Sequence, residues 1–453
     1  MMQHCFDYID RNQGRFLQEL QQFLRFPSVS GDAGYKEDVN QCALWLTDHL
    51  KKLGLDAHCI STRRHPIVRA ATRGSASKRV ILYGHYDVQP ADPLDQWQTN
   101  PFKPDLRDGF IYARGATDDK GQLFAHIKAV ESLLQTAGRL PCEVLFLLEG
   151  EEESGGSSLE EYIKAEKANL AADAVILSDT DMYDENTPAL TYGLRGTVAL
   201  EVKVKTAAFP VHSGSYGGAI GNPVTVLSRL ISSCIGPDGR ILIPGFYEDV
   251  RPLADWEKEN IRRLDGRDRN LMAETGVRKI FGEPGFSTLE RIWTRPTFEP
   301  NGISGGYEGE GMKTIIPAFA VAKISLRVVP DQNPQKIAGL VSQYLKSICP
   351  EYASLEVTVL STSWPILFDV DNPMFQAGRK ALQCGFGAEP VYMRCGGSIP
   401  VVNTFWQVLE KPVILMGFGL NSDGAHSTNE RFKINNFIRG AKASAALIAS
   451  LGK

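Results

Sequence analysis

Cysteine is sparse and follows no ligand spacing. Cys5, Cys42, Cys59, Cys142, Cys234, Cys349, Cys384 and Cys395 include no C-x-x-C pair in 453 residues. That argues against both a disulfide scaffold and a thiolate-bound zinc site. Long apolar runs are missing too, so a membrane-spanning helix is not expected. Charge of either sign is not in excess: 49 Lys and Arg against 53 Asp and Glu leave a net charge of −4. Nothing global therefore draws the chain to nucleic acid or to an anionic membrane. The start, "MMQHCFDYIDRNQGRFLQEL", carries charges throughout and lacks the apolar centre of a signal peptide. The expectation is a soluble cytoplasmic protein with reduced thiols.

What is present is a large core and two textures. Hydrophobic residues make up 43% and charged residues 23%, and the length exceeds that of a usual single domain. In the first part, short apolar runs such as "RVILYGH", "EVLFLLEG" and "ADAVILSD" alternate with helical patterns such as "NQCALWLTDHLKKLG" and "DDKGQLFAHIKAVESLLQTAG". Continuous apolar strands separated by helices predict an α/β fold with a mostly parallel, doubly wound sheet. From Gly193 the strands alternate instead ("GTVALEVKVK", "FAVAKISLRVV", "LEVTVLS"), as half-exposed strands of a small α+β domain do. Residues 237–311 read as an irregular insertion. The buried-strand texture returns in "KPVILMGFG". The expected organisation is a catalytic domain from 1–192 and 365–453, with an inserted lid and dimerisation domain at 193–364.

"VLFLLEGEEESGG" drives a buried strand into four carboxylates, Glu149, Glu151, Glu152 and Glu153. Like charges beside a core repel and lose hydration unless a cation sits among them. Three other apolar runs also end in acid or histidine: His85 and Asp87, Asp179 and Asp181, and Asp423 with His426. A fifth group, Asp118 and Asp119, precedes a helix, where the dipole favours an anion. Taken singly, an acidic run is usually a solvated face and an Asp before a helix is usually a cap. Together they lie where open parallel sheets place ligands, outside the carboxyl ends of the strands. Imidazole and carboxylate without thiolate suit Zn²⁺, Mn²⁺ or Co²⁺ in a hydrolytic centre.

The segments "GHYDVQP", "ARGATDDKG", "EGEEESGG", "LSDT", "VHSGSYGG", "GMKTIIPAFAVAKISLRVVPDQNP", "GGSIP" and "AHSTNERF" resemble the di-zinc superfamily of aminoacylases and carboxypeptidases. The "VHSGSYGG" and "GGSIP" forms are most similar to its dipeptidase branch. The resemblance implies two divalent metal ions, zinc first, with manganese or cobalt as alternatives. It makes His85, Asp118, Glu153, Asp179 and His426 the ligands, with Asp118 bridging, and it implies a cis peptide between Asp118 and Asp119. It makes Glu152 the general base, and Asp87 the acceptor that fixes the imidazole of His85. His212 would reach the active site of a partner in a homodimer formed through the lid domain. Arg327, Gly396, Gly397 and Ser398 would hold a substrate carboxylate. The pattern departs at Cys395, where dipeptidases commonly carry Glu, and this bears on side-chain preference.

Two other motifs do not hold. "SGSYG" lacks the first glycine of a nucleophile elbow and follows no buried strand. "GEGMKT" places Met312 between Gly311 and Lys313, which breaks a phosphate loop. A non-catalytic binding protein on the same fold is disfavoured because every ligand position, Glu152 and Asp87 are intact. The expectation is a metallopeptidase acting on dipeptides or short peptides with a free C-terminal carboxylate. The alternative is an N-acyl-amino-acid deacylase.

Overall fold

The apolar runs become the strands that the functional residues terminate. The computed structural model describes residues 2–72, 78–266 and 268–451. The main sheet runs in the spatial order Asp56–Ile60, Ile67–Ala71, Glu143–Glu149, Arg79–His85, Ala174–Leu177, Val413–Leu415, Ala189–Leu194. Arg79–His85 pairs in parallel with Glu143–Glu149 and Ala174–Leu177, and Val413–Leu415 extends the parallel set. These four strands are buried along nearly their whole length, as their continuous apolar runs require. The flanking strands on both sides are antiparallel. The α/β class therefore holds with a mixed sheet, whose parallel part is its centre. Ile67–Ala71 precedes Arg79–His85 by too short a connection for a parallel crossover, which dictates the antiparallel margin.

Helix Lys120–Ala137 is buried on every side over its first fourteen residues. It packs against the strand Arg79–His85 and against helices Met2–Leu24 and Ile434–Leu451. A helix enclosed this way must satisfy its polar groups internally. Lys120 Nζ donates to the carbonyl of Phe26 at 2.7 Å, and His126 lies between Ser444 Oγ at 2.7 Å and Ser178 Oγ at 2.8 Å.

The chain divides into two compact units, Met1–Tyr192 with Phe368–Met393 and Pro400–Lys453, and Gly193–Leu367 with Arg394–Ile399. The short segment Arg394–Ile399 thus groups with the second unit, unlike the expected partition. In that unit a four-stranded antiparallel sheet has the order Thr297–Ser304, Phe319–Val328, Gly196–Lys205, Ser354–Ser363. Its alternating residues Val198, Leu200, Val202 and Val204 enter a core with helices Pro223–Cys234 and Pro334–Ile348.

Residues 237–311 are not uniformly irregular. Helices form at Asp255–Leu264, Asp268–Thr275 and Thr288–Thr294, and Thr297–Ser304 is an edge strand. Pro300 and Gly302 hid it: the register shifts between them, and proline is tolerated on an edge because no neighbour needs its N–H. Among the described residues no helix is long and apolar enough to cross a membrane.

Candidate metal centre

Strand ends and the turns after them deliver each side chain. His85 ends its strand, Asp179 lies two residues beyond Ala174–Leu177, and Glu152 and Glu153 sit in a 3₁₀ turn after Glu143–Glu149. Asp118 and Asp119 are joined by a cis peptide. Asp119 occupies the N-cap position of the helix but makes no side-chain cap; its Oδ2 accepts from the His85 N–H at 3.3 Å. His426 has φ +60°, a left-handed conformation that costs a non-glycine residue about 1–3 kcal/mol. Asn429 anchors that loop, accepting from the Gln98 N–H at 2.8 Å and donating to the Gln96 carbonyl at 2.9 Å.

The five expected ligands come together as two groups that share Asp118. His85, Asp118 and Asp179 form one, and Asp118, Glu153 and His426 the other, each with its donor atoms within 4.8 Å of one another. His85 Nε2 is 3.1 Å from Asp118 Oδ1 and 4.0 Å from Asp179 Oδ2. His426 Nε2 is 2.9 Å from Asp118 Oδ2 and 3.2 Å from Glu153 Oε2. The two oxygens of Asp118 therefore face different histidines, the arrangement a bridging carboxylate needs.

The three acids of "GEEE" and the glutamate before it separate by partner. Glu149 accepts from Tyr83 OH at 2.6 Å. Glu151 is buried and accepts from the His65 N–H at 2.8 Å and Ser158 Oγ at 2.7 Å, so it braces the turn. Glu153 accepts from Gln89 Nε2 at 2.9 Å beside His426. Glu152 alone takes no side-chain hydrogen bond among the described residues, which leaves its carboxylate available for chemistry.

Electrostatics states what the cluster lacks. Burial pushes Glu152 up to about 8; His85 opposes this, while the charges of Glu153, Asp118 and Asp87 add to it. Burial and the charge of Asp118 hold Asp179 well above the carboxylate range. Burial also acts on Asp118, but hydrogen bonds from His426 and His85 outweigh it and keep that group low. Hydrogen bonds to Asp118 and Glu153 raise His426 to about 10. Acids that resist ionisation next to imidazoles that retain protons are the signature of missing positive charge. The donor set is nitrogen and oxygen with no thiolate, so the residues fit two divalent cations.

Asp87 sits behind this centre. Its backbone carbonyl, at 3.1 Å, is nearer to His85 Nδ1 than its Oδ1 at 3.4 Å. Either acceptor keeps the proton on Nδ1 and frees Nε2 for a cation. The other carboxylate oxygen accepts from Ser30 Oγ at 2.6 Å and from the Glu153 N–H at 3.1 Å. Asp87 thus ties the two groups together. Glu430 has a matching task that sequence reading missed. Fully buried, it accepts from Arg114 Nη1 at 2.8 Å and from the N–H groups of Gly115, Thr117 and Asp118 at 2.9, 2.9 and 3.1 Å. It fixes the backbone leading into Asp118. Its place four residues after His426 was the only signal in the sequence.

Glu19, His49 and Glu131 also converge. Lys128 Nζ lies between them, 2.7 Å from Glu131 and 3.1 Å from His49, and bonded to Glu19. An ammonium already fills the place of an ion, so this cluster is structural.

The residues expected to bind a carboxylate form a polar group within the second unit. Arg327 Nη1 donates to Thr197 Oγ1 and to Ser398 Oγ, both at 3.1 Å. The Gly397 N–H donates to Cys395 Sγ at 3.3 Å, so this one of the expected backbone donors is turned to sulfur. Gly396 is pressed against Ile292 and Arg195 and has no room for a Cβ. His212 is exposed, and its Nδ1 accepts from the N–H groups of Gly214 and Ser215 at 3.0 and 3.2 Å. Those groups can only donate, so the neutral ring carries its proton on Nε2 and presents a donor outward.

Residues 81–450 match the profile of peptidase family M20/M25/M40. The chain belongs to that family. It is a metallopeptidase. Relatives include the Cys-Gly metallodipeptidase DUG1 of Candida albicans, 34% identical with 100% of this chain and 98% of that protein covered. The Beta-Ala-His dipeptidase of Rattus norvegicus is 31% identical over 100% of this chain and 96% of its own length. The crystal structure of human carnosine dipeptidase 1 superposes with a TM-score of 0.87 at 30% identity, covering 100% and 98% of the two chains. The M20 metallo-carboxypeptidase Sso-CP2 of Sulfolobus solfataricus gives 0.87 at 31% identity, covering 96% and 99%.

Proposed function

We propose that this M20 peptidase hydrolyses the amide bond of dipeptides with a free C-terminal carboxylate. The observation that carries the reading is Asp118 shared between two histidine–carboxylate groups, with the unpartnered Glu152 beside them. His85, Asp118 and Asp179 would hold one divalent ion, and Asp118, Glu153 and His426 the other, with zinc the first expectation. Ions bound there supply Lewis acidity toward the scissile carbonyl and acidify the attacking water. Glu152 takes one proton from that water as the C–O bond forms. It then delivers the proton to the amide nitrogen as the C–N bond breaks. Arg327 and Ser398 would hold the terminal carboxylate, a charge-assisted contact that excludes substrates lacking it. The names of the relatives quoted above support dipeptides over N-acyl amino acids.

The test is hydrolysis of a mixed pool of dipeptides and N-acyl amino acids by chelated protein resupplied separately with Zn²⁺, Mn²⁺ or Co²⁺. Metal-restored loss of dipeptides is the expected result. Loss of the acyl amino acids alone would replace this reading with a deacylase.

His212 and the sheet edges support a homodimer formed through the second unit. The Nε2 donor of His212 suits an oxyanion, and Thr297–Ser304 and Ser354–Ser363 are the outer strands of the second unit's sheet. Ser354–Ser363 also exposes Val359 and Leu360 beside its bulge. Such edges are where copies of a chain pair. If His212 serves the partner's site, mixing inactive His212→Asn with inactive Glu152→Gln and letting the subunits exchange restores activity. Random pairing makes half of the dimers mixed, each with one complete site, so about one quarter of wild-type activity returns. No recovery despite verified exchange removes the role in trans. The eight cysteines, none in a disulfide, support a cytoplasmic location.

A further inference from the structure

Arg195 was not singled out by the sequence, yet it lies at the centre of the second unit's polar group. It is 9% exposed. Its Nε donates to the Gly396 carbonyl at 2.7 Å, and one Nη donates to the Arg295 carbonyl at 3.2 Å. Its own carbonyl accepts from Ser398 Oγ. That hydroxyl spends its proton on Arg195, so Thr197 Oγ1, 2.8 Å away, must be the donor between the two hydroxyls. Arg327 donates to both of them. One connected network therefore runs from the Arg295 carbonyl through Arg195 to Ser398 and Arg327.

Two features separate this network from ordinary packing. The hydrogen-bond partners of both guanidiniums among the described residues are neutral oxygens. Arg195 is buried and Arg327 half-buried. The charge of Glu299 acts on Arg195 only after burial and the like charge of Arg327, and a buried cation with no carboxylate bonded to it is costly unless an anion joins it in use. Burial, with the charge of Arg327 second, lowers Arg195 to about 10, in keeping with a cation awaiting a counter-charge. The second feature is the backbone at Gly396. A Cβ there would come within 2.9 Å of Ile292 Cγ2 and 3.1 Å of Arg195 Nη2. The guanidinium and the helix Thr288–Thr294 thus clamp the Gly396–Gly397 peptide. With its carbonyl held by Arg195, this peptide turns the Gly397 N–H to the opposite side, where Cys395 Sγ accepts it.

We infer that Arg195 is a positioning residue for recognition of the substrate carboxylate: its guanidinium fixes the Gly396–Gly397 peptide that leads into Ser398, whose hydroxyl accepts from Arg327, and it adds a second positive charge behind them. The inference rests on the proposed role of Arg327 and Ser398. It also gives part of the segment 237–311 a task, because Arg295 and Ile292 from that segment hold Arg195 and Gly396 in place.

The experiment compares the dipeptide hydrolysed fastest in the pool above with the same dipeptide as its C-terminal amide. Arg195→Met is expected to raise KM for the acid about 10–100-fold, the range for hydrogen bonds to a charged group. Turnover of the acid and KM for the amide should change little, so the acid-over-amide preference falls by the same factor. Arg195→Lys keeps the charge without the fork and should fall between wild type and Arg195→Met. An equal loss on acid and amide would mark Arg195 as merely structural and overturn the inference. So would an unchanged preference in either variant with native melting behaviour, and Arg195→Lys carries the comparison alone where Arg195→Met does not fold. Arg327→Met separates the two levels. If it too leaves the preference intact, the carboxylate reading itself fails; if it removes the preference while Arg195→Met does not, only the role of Arg195 is lost.

Discussion

Glu152→Gln should lower kcat by roughly 10²–10⁴-fold, the usual contribution of a positioned acid–base group, while the protein keeps its metal. Glutamine preserves the shape and hydrogen-bonding reach of the side chain but cannot accept the proton of the attacking water. Four neighbouring acids compete for this role in the sequence, and the structure separates them. Glu149 is bonded to Tyr83, Glu151 to the turn through His65 and Ser158, and Glu153 to Gln89 beside His426. Without cations, burial and neighbouring charges hold Glu152 at about 8. Bound cations reverse that balance and ionise it near neutrality, as a base requires. Glu151→Gln provides the contrast: it should reduce melting temperature more than turnover per folded molecule. Elemental analysis of Glu152→Gln beside single-turnover kinetics makes the check. A variant that retains both its metal and a tenth of wild-type turnover would remove Glu152 from the chemistry.

Much of this site was legible because a buried strand cannot end in charge without a reason. His85, Asp179 and the run from Glu149 to Glu153 announce themselves by following continuous apolar segments. The choice of Asp118 over Asp119 was not legible from spacing and came only from resemblance. In space the difference is plain, since Asp118 faces both histidines and Asp119 accepts a backbone N–H of His85. Glu430, Ser30 and Arg195 escaped for another reason. Each acts on a residue more than fifty positions away, Glu430 on 114–118, Ser30 on Asp87 and Arg195 on Gly396. No local period or cap encodes such pairs. The fold was legible to the same extent. Continuous apolar strands gave the parallel centre of the sheet, whereas the antiparallel margins depend on connection length. The edge strand Thr297–Ser304 carries Pro300 and Gly302, which read as loop wherever the chain's neighbours are unknown.

The centre also dictates how pH and metal act on each other. In chelated protein, burial and the Asp118 charge keep Asp179 protonated above its ordinary range, and burial with nearby acids keeps Glu152 so up to about 8. Hydrogen bonds to Asp118 and Glu153 keep His426 charged up to about 10. Coordination needs ionised carboxylates and a neutral imidazole Nε2, so loading the metal expels protons. Affinity should therefore rise between about pH 6 and about pH 8, by about one logarithmic unit per pH unit for each proton released. The stability of the chelated protein should move the other way. A group whose folded pKa is raised contributes stability below its unfolded value and loses it as pH climbs through the folded one. Glu152 places that loss between 4.5 and about 8, and His426 between 6.5 and about 10. Asp118, whose pKa is lowered, contributes stability that is lost only as pH falls below 3.8, outside this window. The melting temperature of chelated protein is thus expected to fall from about pH 5 to about pH 9, with the gap to the metal-loaded form widening throughout. Metal competition with a chromophoric chelator, run beside melts of both forms across that range, measures the two trends together. A pH-independent affinity, or a chelated form that gains stability toward alkaline pH, would mean that these acids and imidazoles do not share one cation-deficient centre.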